Sequence, residues 1–463
     1  MAHSAGKENI MRKYYVTEAT IARINAAKAV KSDYMTLLLP GEGKVMKTGD
    51  DEGNKTVIGG LGKIADTGEV FQAPLPFETD ELAEESEEIA VNTLQFDKMI
   101  ECCGRTGGGT MEIVAEDGVI SFRCGSTRGS IRYFSTDDVP FKPGIETKDE
   151  PLATFVLKSE AVASRVRFIS SYANTAIDLR VTPEGEVKFL PDLANGSCFA
   201  ESVFKAEELI DLDYKKVDGA TDFAIPAKYR EFFTLPVYGE RMTVKFYKGA
   251  FEIKSNGTTF KGALSSGAQL IPESILKKLS IKQCEAIAVF FDRAKFAREV
   301  SVSTVWSDII GQSTQVKVMK VDVQAKDDIR LAMTDSFGSV ISADNLKKTG
   351  DASGEFYLQA DSLGRAASSF AGDTLAVGFG NLKTANGMGS ILILMDGDKG
   401  EKKIDYSGNR AVFTGAPEDK YREMCDTVTA KGKKTPLAMA EEAEKEAEKK
   451  AAEKKAAKKP GKK

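Results

Sequence analysis

One unit of roughly 65–75 residues recurs six times along this chain, and that period constrains the fold more than any other feature. Each copy has the pattern of a short helix followed by alternating strands. The helix patterns open near Thr17, Thr93, Lys158, Pro226, Asp292 and Ala360. Regular spacing of this kind is typical of a modular architecture. Six units predict three domains of similar size, each built from two units.

The second unit shows the pattern most clearly. Within residues 93–105 the apolar side chains fall at i, i+3, i+4 and i+7, which gives one apolar stripe along a helix. Two strands, Met111–Ala115 and Val119–Cys124, follow around the hairpin turn Asp117-Gly118. Across the six units, strands outnumber helices several-fold. The sequence therefore predicts an α+β fold with antiparallel sheets.

The connections between units predict the domain boundaries. We expect domains over residues 1–148, 149–280 and 281–418. After about Pro417 the repeat ends, and from Lys431 the composition is mostly Ala, Glu and Lys. We expect residues 419–463 to be a charged, flexible tail.

Charge is unevenly distributed along the chain. The stretch from residue 431 holds twelve Lys and six Glu, a net charge of +6, which leaves residues 1–430 at −11 because the whole chain has −5. The six helical windows hold fourteen basic and eight acidic residues, so they are cationic within an acidic body. If these helices share a surface, their cations would meet phosphates without reading bases. Ordinary solvated helix faces are the alternative interpretation.

The basic residues of the helical windows are the candidate DNA-binding residues. They are Arg23, Lys28, Lys31, Lys98, Arg105, Lys158, Arg165, Arg167, Lys228, Arg230, Arg293, Lys295, Arg298 and Arg365.

Several function classes are disfavoured by what the chain lacks. Its one histidine, His3, precedes the first unit, so a Ser-His-Asp triad or a His-ligated zinc site has no structured histidine. The six cysteines show no CxxC spacing, which indicates reduced thiols in a cytosolic compartment. No apolar run approaches the ~18–20 residues of a membrane helix, and the N-terminus has no signal-peptide pattern. We expect a cytoplasmic protein that is not an enzyme and has no cofactor or metal.

Six helix-plus-sheet units with basic helices resemble the bacterial-type DNA sliding clamp, the DNA polymerase III beta subunit family. The resemblance covers about residues 14–418 and is strongest in units two and four. The matching stretches are TLQFDKMIECCGR, MEIVAEDGVISFRCGSTRGSIRYF, FAIPAKYREFF and RMTVKFYKGAFEIKSNGTTFKGAL. Unit one, an insertion in unit six (Asn381–Gly389) and the charged tail depart from the family. Such drift suits a clamp encoded by a phage or virus.

The resemblance implies the DNA-clamp fold and a topological function. In that family two three-domain chains close head to tail into a ring whose helices line a hole for double-stranded DNA. By this likeness the chain is a homodimer, with a trimer as the alternative, and its partners are a DNA polymerase and an ATP-driven clamp loader. No membrane is involved. The function implied is a sliding clamp that makes a polymerase processive without sequence specificity.

The family also has a partner pocket between its second and third domains and near its last strand. The positions that match it here are Leu193, Phe199, Leu270, Ile271, Pro272, Ile275, Val412, Phe413 and Pro417. Ordinary interdomain core is the alternative for each. In known clamps the chain ends near that strand, whereas here about forty-five residues follow.

Three other functions remain open from the sequence. One keeps the fold and makes the protein a DNA-binding processivity or transcription factor that does not form a ring. Another is a β-rich structural or assembly protein whose basic tail binds nucleic acid. The third is an enzyme that uses carboxylate chemistry.

Overall fold

The structure is a computed structural model. It describes residues 12–42, 45–48, 55–80, 83–105, 111–192, 198–214, 221–266, 271–272, 286–290, 292–310, 318–323, 328–334, 337–341, 346–349, 353–370, 372–384, 387–396, 408–415 and 418–428.

A helical segment opens each of the six repeat units at the position that the sequence predicts. The α-helices are α1 (Glu18–Ala27), α2 (Thr93–Arg105), α3 (Ser159–Ser170), α4 (Arg293–Ile310), α5 (Ala360–Ser369) and α6 (Glu418–Val428). The fourth unit opens instead with a 3-10 helix, Ala227–Phe233. Two single 3-10 turns lie at Thr136–Asp138 and Ala206–Glu208.

Chain contacts divide the molecule into two compact bodies. The first body comprises residues 1–167, 175–187 and 204–268, and the second comprises residues 168–174, 188–203 and 269–463. The division into three domains remains a prediction.

The strands of the first body are numbered in chain order. They are β1 (Arg12–Val16), β2 (Tyr34–Leu39), β3 (Val45–Thr48), β4 (Lys55–Ile64), β5 (Val70–Thr79), β6 (Glu87–Asn92), β7 (Met111–Glu116), β8 (Val119–Cys124), β9 (Thr127–Ser135), β10 (Ala153–Lys158), β11 (Ala176–Val181), β14 (Asp211–Tyr214), β15 (Thr221–Pro226), β16 (Arg241–Tyr247), β17 (Ala250–Ser255) and β18 (Thr258–Ala263).

Those of the second body follow the same numbering. They are β12 (Val187–Pro191), β13 (Cys198–Phe204), β19 (Ala286–Phe290), β20 (Val318–Val323), β21 (Ile329–Thr334), β22 (Phe337–Ile341), β23 (Leu346–Thr349), β24 (Gly354–Gln359), β25 (Leu375–Thr384), β26 (Gly387–Asp396) and β27 (Asn409–Thr414).

Antiparallel pairing dominates both bodies. In the first body, fourteen strands of the described chain join in the order β14-β10-β16-β17-β18-β5-β1-β7-β8-β9-β6-β2-β4-β3, and β11 pairs with β15. In the second body, β12-β13-β27-β26-β25-β19-β23 form one run and β22-β21-β20-β24 form a four-stranded sheet. The predicted α+β class with antiparallel sheets is confirmed.

Local sequence signals explain the tight hairpins. Asp117 and Gly118 both have positive φ, at 49° and 77°, which the two-residue turn between β7 and β8 requires. Within the same meander, a Cβ on Gly129 would lie 2.5 Å from the ring of Phe122. Glycine is therefore the residue that lets β9 pack against β8 here.

The insertion predicted in unit six lengthens a hairpin. Asn381 pairs with Ser390 and Thr384 with Gly387, so the added residues continue the ladder between β25 and β26.

Residues 419–428, which the sequence assigned to a flexible tail, form most of α6. Tyr421 is 2% exposed and contacts the ring of Tyr357 at 5.5 Å, and Cys425 packs on the same cluster. This cluster anchors α6 on the four-stranded sheet of the second body. The Ala/Glu/Lys stretch from residue 431 lies outside the described residues.

A buried carboxylate holds the β4–β5 hairpin against the 3-10 helix of the first body. Glu69 accepts hydrogen bonds from Lys228 Nζ at 2.7 Å, from Tyr229 Oη at 2.5 Å and from Thr67 Oγ1. Burial alone would raise the pKa of Glu69, but these hydrogen bonds outweigh it and hold that pKa at about 2, below its ordinary 4.5.

We expect Glu69→Gln to destabilise the protein at pH 7 by about 2 kcal/mol. A depressed carboxylate pKa stabilises the fold above pH 4.5, and this contribution is lost as the pH falls towards 2. The difference in free energy of unfolding between wild type and variant should therefore shrink over that window in urea titrations. Glu112→Gln, at a more exposed ion pair with Lys13, is the control. A difference that does not change with pH would contradict this account.

Candidate nucleic-acid interface

The helix α1 buries its apolar side and leaves its basic residues towards its other side and its end. Thr17 caps the helix by accepting a hydrogen bond from the Thr20 N–H at 3.2 Å, and Ile24 is buried. Lys28 is half-buried at the C-terminal cap and Lys31 is exposed just beyond it. Cations at this end interact favourably with the helix dipole.

Arg23 is less available than its position on α1 suggests. It is half-buried, its Nη1 donates to the Ala19 carbonyl at 3.1 Å, and burial lowers the pKa of its guanidinium.

The helix α2 has the apolar stripe that the sequence predicts. Phe96, Met99 and Ile100 are each 2% exposed, and Lys98 points away from them to solvent. Lys98 Nζ lies 2.9 Å from Glu101 Oε2, so this lysine is partly neutralised on its own helix. The side chain of Arg105 lies outside the described residues.

The cations of α3 divide into two groups. Lys158, just before the helix, and Arg167 are exposed. Arg165 instead donates to Glu208 Oε1 at 2.7 Å and lies over the ring of Phe204 at 4.0 Å. Arg165 is thus held inside the first body, where it stabilises the structure.

In the 3-10 helix, Arg230 is exposed while Lys228 is bound to Glu69. Lys228 also lies 4.6 Å from the ring centre of Tyr229. A cation already paired in this way contributes less to phosphate binding than a solvated one.

In the second body, two of the three cations of α4 have polar partners. Arg293 Nε donates to the Gly372 carbonyl at 2.6 Å, and Arg298 lies 3.4 Å from Glu299. Lys295 is half-buried. The side chain of Arg365, on α5, lies outside the described residues.

Two clefts of the first body bring predicted cations together. One, of about 930 Å³, is lined by Lys158 and Arg167 together with Arg241 at the start of β16. The other, of about 400 Å³, is lined by Lys28 and Lys31 together with Lys63 of β4.

The sequence analysis missed Arg241 and Lys63 because it counted cations on helices alone. Lys63 could have been found from strand alternation, since it is in phase with the buried residues Val57 and Leu61.

The residues predicted for a partner pocket fall on several segments. Phe199 of β13 pairs with Val412 of β27, and Phe413 pairs with Cys198. Val412 and Phe413 are both buried, and as strand neighbours they point to opposite faces of the sheet. One wall of a pocket therefore includes at most one of them.

Ile271 is buried and Pro272 exposed. Leu193, Leu270, Ile275 and Pro417 lie outside the described residues, and the pocket remains a prediction.

The described residues also bear on metal binding and on membrane insertion. Among the described residues, no group of three His, Cys, Asp or Glu side chains is placed to hold a metal ion. The described helices are all too short or too polar to cross a membrane.

No family model matches the sequence, and no curated protein matches it either. Solved structures do match. DNA polymerase III subunit beta from Pseudomonas aeruginosa aligns with a TM-score of 0.61 at 11% identity, over 88% of this chain and 100% of that chain. The DNA polymerase sliding clamp from Bacillus subtilis aligns with a TM-score of 0.61 at 12% identity, over 88% of this chain and 100% of that chain. The Helicobacter pylori beta clamp bound to DNA ligase peptide aligns with a TM-score of 0.60 at 9% identity, over 88% of this chain and 99% of that chain. The protein has the fold of the bacterial DNA sliding clamps.

We expect charge reversal to separate the two arginines of α3. Arg165→Glu should lower the free energy of unfolding by roughly 1 kcal/mol, because it breaks the ion pair between the half-buried Arg165 and the exposed Glu208 and places two carboxylates together. Arg167→Glu, on the exposed face, should change it by less than about 0.5 kcal/mol. Urea unfolding followed by circular dichroism measures both.

The double variant Arg165→Glu with Glu208→Arg provides the control, because it restores the pair with its charges exchanged. It should recover part of the lost stability. Equal stability of Arg165→Glu and Arg167→Glu would show that the Glu208 contact contributes nothing.

Proposed function

We propose that this protein is a DNA sliding clamp. Two copies form a ring around double-stranded DNA and tether a DNA polymerase without reading sequence. The observation that carries this proposal is the extent of the fold likeness, which covers 99–100% of the length of each bacterial clamp described above. A whole clamp, and not one of its domains alone, thus has a counterpart in this chain. Identity of 9–12% makes function a matter for experiment.

An open strand edge in each body supports ring closure. In the first body, residues Thr127–Arg132 of β9 pair with β8 alone within the described chain, because pairing with β6 begins at Tyr133. In the second body, β22 is the outer strand of its four-stranded sheet. Unpaired edges of this kind are templates for pairing with another chain. We propose that the β9 edge of one copy pairs with the β22 edge of a second copy, head to tail. Two such junctions close a dimeric ring.

An apolar side chain beside the second edge fits the same assignment. Val302 of α4 is 49% exposed, and α4 packs on β22. An exposed valine next to an open edge is suited to burial in an interface between subunits.

The basic helices supply the proposed DNA contacts. Lys31, Lys158, Arg167 and Arg230 are exposed on helical segments of the first body or directly beside them. Contacts of lysine and arginine with phosphates are independent of sequence and weaken with salt, as sliding requires. In the proposed ring these segments face the duplex.

The partners are proposed from the fold likeness to a clamp whose structure contains a partner peptide. The Helicobacter pylori clamp is bound to a DNA ligase peptide. In this chain we assign partner binding to the apolar positions between Leu193 and Pro417 named above, with only one of Val412 and Phe413 on the pocket wall, and the partners to a polymerase and an ATP-driven loader. The protein then acts where DNA is replicated, in the cytoplasm of a bacterium or an infected cell.

A ring makes a specific prediction about DNA shape. Dilution to monomers, followed by concentration in the presence of plasmid, should close rings around circular DNA. Gel filtration at high salt then removes phosphate contacts and leaves topology alone. We expect the protein to elute with closed circular DNA and to be released when a restriction enzyme linearises it. Equal elution with both forms would exclude the ring.

The proposed interface predicts the effect of one substitution. Native mass spectrometry should give about twice 50.1 kDa for the wild type. Val302→Lys brings a third cation towards Arg128 and Arg132 of the partner edge, and should yield monomers that no longer remain on circular DNA. Val302→Leu keeps the apolar contact and should remain dimeric. A dimeric Val302→Lys protein would remove Val302 from the interface.

A further inference from the structure

Lys63 is a buried lysine, and burial disfavours its positive charge. It lies on β4 in phase with Val57 and Leu61, and it is 1% exposed. Among the residues that the structure describes, its Nζ has no hydrogen-bond partner. The nearest carboxylate is that of Asp97 on α2, whose Oδ2 lies 3.8 Å away. This distance is too long for a hydrogen bond.

A buried ammonium needs partners. Removing a charged group from water costs several kcal/mol unless hydrogen bonds and an opposite charge compensate it. Burial lowers the pKa of Lys63, Asp97 opposes that effect, and the positive charges of Lys31 and Lys28 add to it. Three ammonium groups thus converge on one small cleft, together with carboxylates of the protein.

The space in front of Lys63 is a cleft between the end of α1 and the start of α2. Its volume is about 400 Å³. Lys28 and Lys31 line it from the α1 side, and Thr93 and Leu94 line it from the α2 side. The start of α2 carries the positive end of the helix dipole, which favours an anion at this position.

We propose that this cleft binds a phosphate group of the duplex DNA backbone, with Lys63 at its floor and Lys28 and Lys31 at its rim. The ligand is thus a nucleic-acid phosphate, and this assignment rests on the proposed clamp function. The phosphate displaces Asp97 as the partner of Lys63 and provides the hydrogen-bond acceptors that the Lys63 ammonium lacks.

The acidic residues of the cleft set the strength of binding. Asp33, Asp66 and Asp97 also line it, so the three lysines of the cleft are matched by three carboxylates. A phosphate is therefore held by short-range hydrogen bonds from ammonium groups rather than by a large excess of positive charge. Such a contact is specific in geometry and weak enough to break as the protein moves along DNA.

The test is Lys63→Met, which keeps the volume of the side chain and removes its charge. We expect it to weaken binding of a short fluorescent duplex by roughly tenfold. The slope of log Kobs against log salt should become shallower by about 0.9, the value for one phosphate contact. Lys13→Met, which removes one lysine from a strand of the same body that does not line the cleft, is the control and should keep the wild-type slope.

A second measurement uses inorganic phosphate on the free protein, without DNA. Millimolar phosphate should raise the unfolding temperature of the wild type and of Lys13→Met above that in chloride of equal ionic strength. It should not do so for Lys63→Met. Lys31→Gln changes an exposed residue and thus preserves the fold, and it should reduce the phosphate effect.

The two measurements separate this inference from the clamp proposal. Phosphate stabilisation that depends on Lys63, with no retention on circular DNA, would support the anion site and reject the ring. Retention on circular DNA with an unchanged salt slope in Lys63→Met, and no phosphate effect, would reject the anion site and leave the ring.

Discussion

The helix α2 is held on the strands of the first body by one apolar stripe, and the position of that stripe decides which of its charges can face outward. On α2, burial of Phe96, Met99 and Ile100 leaves Lys98 no place except the opposite side. A repeat unit cannot bury this stripe without the strands that follow it. The order of helix and strands in the sequence is therefore also the condition for a surface of basic helices.

The same packing reduces the number of cations available to a ligand. Arg165 is bound to Glu208, Lys228 to Glu69, and Arg293 to a backbone carbonyl. A lysine or arginine whose charge is neutralised within the protein releases fewer counterions from DNA than a solvated one. The proposed DNA interface is thus narrower than the fourteen basic residues of the helices suggest, and it depends on particular clefts of the first body.

Local sequence patterns predicted where the helices of the repeat units begin and where a hairpin turns. They did not predict features that depend on contacts between segments far apart in the sequence. The starts of the helices and the hairpin at Asp117-Gly118 follow from periodicity and turn chemistry within a few residues. The role of Glu69 could not be predicted, because its partners Lys228 and Tyr229 lie about 160 residues away. The packing of Tyr421 on Tyr357 is likewise a contact between segments that are separate in sequence.

The net negative charge of residues 1–430 is compatible with binding to a polyanion. At physiological salt the Debye length is about 8 Å, so the net charge of −11 over residues 1–430 acts weakly on a phosphate inside the lysine-lined cleft. In the proposed site the phosphate meets the local arrangement of Lys28, Lys31 and Lys63. In the proposed complex the excess of carboxylates elsewhere repels DNA from the other surfaces. A protein that stays on DNA by encircling it gains from both effects, because its few contacts are placed correctly and none is strong enough to stop it from moving.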